Sequence, residues 1–114
     1  MGYFEGYQQT LVKTFDELTA PGVTEAIDVM VPNYLSTRNY TISATVTNIN
    51  SHVIVRLDGS IDGVNFGPLI SNTIKENGTY LYYVNGFPVG YLRGNFLEES
   101  GGTDAVVKFS IAAN

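Results

Sequence analysis

Apolar and polar side chains alternate along most of this chain, and turn signals interrupt them roughly every eight to twelve residues. This pattern restricts the fold more than any other feature. It is clearest at Asn39–Thr47, where Tyr40, Ile42, Ala44 and Val46 alternate with Thr41, Ser43, Thr45 and Thr47. Neighbouring residues of an extended strand point to opposite faces, so the first set is expected in a core and the second in solvent. His52–Ile61 repeats the pattern: Val53, Val55, Leu57 and Ile61 read as inward beside Gly59, and Ile54, Arg56, Asp58 and Ser60 as outward. In Ala105–Ala112 the inward set is Ala105, Val107, Phe109 and Ile111.

Further strands are expected over Gln8–Phe15, Thr24–Val31, Leu69–Lys75, Thr79–Val84 and Val89–Leu97. In the last of these, Gly90 and Gly94 share a parity with Leu92 and Phe96, which predicts large rings lying across the glycines or a bulge. Phe15–Thr19 reads as a helical turn. Pro21-Gly22, Asp62-Gly63, Gly67-Pro68 and Asn77-Gly78 mark turns, the last as a type I′ dipeptide. The short Asn48–Ser51 link predicts a hairpin between the strands on either side of it. Seven to eight short segments leave no room for crossover helices. The expected fold is therefore all-β: an antiparallel β-sandwich, jelly-roll or immunoglobulin-like, forming one domain over residues 1–114 with residues 1–9 as an N-terminal arm.

Composition narrows the function. Net charge is -5 and the 6 basic residues are dispersed, which disfavours both a phosphate backbone and an anionic lipid surface as partners. Cysteine is absent, so thiolate metal sites and disulfides are excluded. No apolar run is long enough to span a bilayer as a helix. Met1–Glu5 lacks the basic and apolar regions of a signal peptide, which predicts synthesis in the cytoplasm. No cofactor is expected.

Candidate sites are of three kinds. Aromatic residues with a polar handle favour interfaces and sugar-stacking platforms. Tyr3, Phe4 and Tyr7 of the arm are therefore candidates to pack on a partner. Of the group Tyr80, Tyr82, Tyr83 and Tyr91, the adjacent Tyr82 and Tyr83 must face opposite sides of one strand, so at least one is expected outside the core. The acidic, glycine-rich Glu98–Asp104 stretch offers Glu98, Glu99 and Asp104 as an assembly contact for Arg38, Arg56 or Arg93 of a neighbour. Adjacent Glu98 and Glu99 point apart, which disfavours their use as a paired acid and base. Asp58, Asp62 and Asn65 carry oxygen ligands suited to calcium, without the full spacing of a calcium loop. The simpler expectation is an Asp-Gly turn in which Asp62 bonds its own backbone and Gly63 is left-handed. His52, the sole histidine, is expected to be structural.

Ala44–Asn50 running into Val55–Phe66, together with Asn77–Tyr80 and Glu98–Thr103, resembles small β-sandwich structural proteins of tailed bacteriophages. The likeness covers residues 39–112. It implies a non-enzymatic virion structural or decoration protein on a head or tail, present in many copies as a homo-oligomer beside other phage structural proteins. The pattern Ser60-x-Asp62-Gly63-x-Asn65-aromatic is similar to one in discoidin-like and carbohydrate-binding sandwiches, where Trp often stands in place of Phe66. A glycan-binding module with an aromatic platform is the alternative expectation.

Overall fold

The structure, a computed structural model, describes residues 11–29 and 39–114. The expected arm with Tyr3, Phe4 and Tyr7 lies outside these residues, as does Arg38. Nine strands are described: β1 (Leu11–Thr14), β2 (Gly22–Val23), β3 (Ile27–Asp28), β4 (Tyr40–Thr47), β5 (His52–Ser60), β6 (Gly67–Ile74), β7 (Gly78–Val84), β8 (Tyr91–Ser100) and β9 (Val106–Ala113). They form two antiparallel sheets, one ordered β1-β9-β4-β7 and the other β2-β8-β5-β6. β3 also pairs with β8, so β2 and β3 are two parts of one edge. The chain therefore fills eight strand positions with the interleaved order of a jelly roll rather than the more sequential order of an immunoglobulin domain.

The alternation is realised where it was strongest. Tyr40, Ile42, Ala44 and Val46 are buried together, opposite buried Val53, Val55 and Leu57 of the facing sheet. Val107, Phe109 and Ile111 of β9 complete the layer between the sheets with Leu92 and Phe96 of β8. Gly94 earns its place here: a Cβ on it would stand 2.6 Å from Phe109 Cδ2, so the Phe109 ring lies directly on the β8 backbone.

Several expectations are corrected. Asn48–Ser51 does not close a hairpin, because β4 and β5 belong to different sheets. Asn48 takes a positive φ of 59° at this corner, and the amide of Ile49 donates to Asn77 Oδ1 at 3.0 Å. Strands alternate identically whether the next one pairs beside them or packs across from them, so periodicity could not separate the two cases. Asn77-Gly78 is likewise a passage between sheets, and Asn77 is not left-handed, as a type I′ turn would require. Among the described elements, β5 and β6 are the consecutive strands that pair with each other. Phe15–Thr19 is not helical: the Phe15 amide bonds the Phe109 carbonyl, and Leu18 bridges Val107. Ile61 was expected inward, but β5 ends at Ser60 and Ile61 is 81% exposed.

Candidate functional site

The outer face of the β2-β8-β5-β6 sheet holds the densest polar cluster described. Antiparallel pairing of β5 with β8 sets Asp58 opposite Arg93 and Arg56 opposite Asn95. Residues two apart share a strand face, so Arg56 also reaches Asp58. The Asp58 carboxylate accepts from Arg56 Nε at 3.0 Å on Oδ1, and from Arg93 Nε at 3.2 Å and Asn95 Nδ2 at 3.1 Å on Oδ2. Asp58 points away from the core, as its parity requires, yet its exposure is 0%. Phe66 roofs the cluster, its ring centroid 4.1 Å from Arg93 Cζ. Sequence reasoning missed this network. Arg56 and Arg93 were offered to a neighbour's acidic loop, whereas both are engaged with Asp58 of their own chain.

The loop joining β5 to β6 is held by Asp62. Its Oδ1 accepts from Ser60 Oγ and from the amides of Val64 and Asn65, and its Oδ2 accepts from Asn65 Nδ2, at 2.8–2.9 Å. Hydrogen bonds from the Asn65 amide, then the Val64 amide, then the side chains of Asn65 and Ser60, hold the Asp62 carboxyl well below the usual carboxylate range. Gly63 is left-handed, with φ 82°, and packs under the Tyr91 ring. This is the Asp-Gly turn read from the sequence. No hydrogen bond joins it to Asp58, whose oxygens face the arginines. Among the described residues, no group of three His, Asp or Glu side chains is placed to hold a metal ion.

Glu98 and Glu99 lie within β8 rather than in a loop. Leu97 is an extra residue at a bulge, since Val55 pairs with Phe96 and Ile54 with Glu98. The bulge resets the alternation. Glu98 turns outward, 3.8 Å from His52 Nε2, while Glu99 accepts the Ala105 amide at 2.9 Å. Asp104 Oδ2 accepts from Asn50 Nδ2 at 3.5 Å beside an open polar hollow of about 430 Å³. The three carboxylates therefore serve three different partners.

The tyrosines divide as strand geometry demands. Tyr80 and Tyr82 pair with Ala44 and Ile42 and pack half-buried against the core. Burial, and to a lesser degree the neighbouring Tyr80, pushes the Tyr82 hydroxyl pKa up. Tyr83 points the other way and is 67% exposed, beside Leu81 at 68% and three strand positions across the sheet from Val12 at 64%. Tyr91 lies on the other sheet, so a row of exposed tyrosine rings does not form on β7. At one end of the sandwich an apolar pocket of about 400 Å³ opens between Ile61, Leu69, Phe87 and Val89. Asp62 and Asn65, named from the sequence as oxygen ligands, also line it, but the sequence did not point to its apolar lining.

Neither a protein-family model nor a curated protein matches the sequence. Solved structures do share the fold. The SPBc2 prophage-derived protein YomS superposes with a TM-score of 0.57 at 11% identity, over 93% of this chain and 94% of that chain. Carbohydrate-binding module CBM36, determined with calcium and xylotriose, gives 0.52 at 15% identity over 91% of this chain and 88% of that chain. The tobacco streak virus coat protein gives 0.47 at 12% identity, over 93% and 83% respectively. For the first two the likeness is one of fold, and function must come from the site.

Proposed function

We propose that the chain is a non-enzymatic structural or decoration component of a phage particle, working by many modest protein contacts. One observation carries this reading: polar groups are closed on themselves while large apolar groups are left outside. Asp58 and Asp62 are saturated by their own chain, and no buried side-chain polar atom among the described residues lacks a partner. Meanwhile Ile61, Val64 and Phe87 stand exposed at one end, and Val12, Leu81 and Tyr83 on one sheet face. Two separate contact surfaces suit a component that joins a lattice, where repeated weak contacts sum to avidity. The fold shared with a prophage-derived protein supports the setting. The expected partners are further copies of the chain and other particle proteins, and the expected location is the virion.

The test is quantitative mass spectrometry of density-banded particles from a producing culture. Many copies of the chain per particle are expected, and absence from the particles refutes the reading. Binding to a glycan array that Tyr83→Ala abolishes would instead favour a carbohydrate-binding module.

A further inference from the structure

The outer face of the β1-β9-β4-β7 sheet is built in registered rows. Val12, Ala112, Thr41 and Tyr83 lie side by side in one row, and Thr14, Ser110, Ser43 and Leu81 in the next. Lys108, Thr45 and Thr79 form a third. These rows contain no carboxylate, although the chain carries a net charge of -5. Two copies approaching through this face set no carboxylates of these rows against one another. The hydroxyls here are partly paired within the sheet: Thr45 with Thr79 at 2.9 Å, and Ser110 donating to Thr14 at 3.1 Å. Covering such groups strips fewer water contacts than covering free ones.

The relief of the face is complementary to itself. Leu81 and Tyr83 stand as a ridge on edge strand β7, and Thr41, Ser43, Ser110 and Ala112 form a furrow of smaller side chains on β4 and β9. A ridge beside a furrow fits its own image across a two-fold axis. We propose that this face binds a second copy of the chain, with a two-fold axis along β4 that seats each β7 ridge over β9 of the other copy. Three strands spaced about 4.8 Å apart and about 27 Å long give roughly 400 Å² in flat projection. A pair would then cover about 800 Å², the size of a weak contact that becomes effective through repetition. This inference deepens the assembly reading above by naming the surface and its occupant.

Sedimentation velocity from about 10 µM to 1 mM is expected to show a monomer–dimer equilibrium. Leu81→Lys with Tyr83→Lys should raise its dissociation constant at least tenfold while leaving the circular dichroism melt unchanged, because both side chains are exposed. A strict monomer at 1 mM, or a dimer insensitive to the lysine pair, overturns the inference. If the chain stays monomeric while the lysine pair abolishes its incorporation into particles, the face belongs to another protein and the particle reading stands. If the dimer forms but particles lack the chain, the dimer stands and the particle reading falls.

Discussion

Replacing Asp58 with alanine would leave two guanidinium groups and an amide gathered around nothing. Removing one partner of a buried ion pair costs about 3–5 kcal/mol, because the remaining charge stays desolvated. The Arg56 and Arg93 side chains keep 22% and 27% exposure, so water reaches them and the lower end of that range applies, about 3 kcal/mol. For a domain of this size each kcal/mol corresponds to roughly 3–6 °C, so the melting temperature should drop by roughly 9–18 °C. Urea unfolding is the direct assay, with the midpoint falling and the slope unchanged. The triple variant Asp58→Leu, Arg56→Met, Arg93→Met should recover most of the loss, since apolar replacement removes the desolvation cost along with the attraction. A loss below about 1 kcal/mol for Asp58→Ala would mean that the cluster behaves as an exposed pair, and the reasoning would fail.

Two further outcomes follow from other contacts. Gly94→Ala puts a methyl group 2.6 Å from Phe109 Cδ2 in a fully buried layer, and should cost about 1–3 kcal/mol in urea unfolding, partly restored by Phe109→Leu. The Asp62 carboxyl titrates lower in the folded chain than in the unfolded one. Its stabilisation is complete above the unfolded value of about 4 and fades as pH falls below it. Wild type should therefore melt above Asp62→Asn at pH 6, with the gap closing toward pH 2; a gap constant over that range would count against the turn as described.

How much of this was readable beforehand differs from element to element. The inward sets of β4 and β9 were legible because period-two alternation reports directly on which flank is wet. The Asp62 turn was legible because Asp-Gly carries its own local chemistry. Strand partners were not: nothing local to Asn48–Ser51 distinguishes a hairpin from a corner between sheets. The Asp58 network was hidden for the same reason. Arg93 is 35 residues away in sequence, and its pairing with Asp58 follows from a register set by the whole sheet. The outward parity of Asp58 was right, but parity says nothing about a neighbour's side chain lying over it. Glu98 was displaced from its simple phase by the Leu97 bulge, which no residue type in that stretch announces.

The pairing of Leu11–Thr14 with Ser110–Ala113 has a temporal consequence. The first described strand finds its partner in the last described one, so on the ribosome that edge stays open until residues 110–113 have been made. Because nearly every connection passes from one sheet to the other, neither sheet can be finished in advance. Such long-range closure slows the search for the native arrangement and makes it all-or-none. A chain cut short before β9 would lose more than a strand: β1 would be left with an unsatisfied ladder of amides and carbonyls, ready to pair with whatever chain lies nearest.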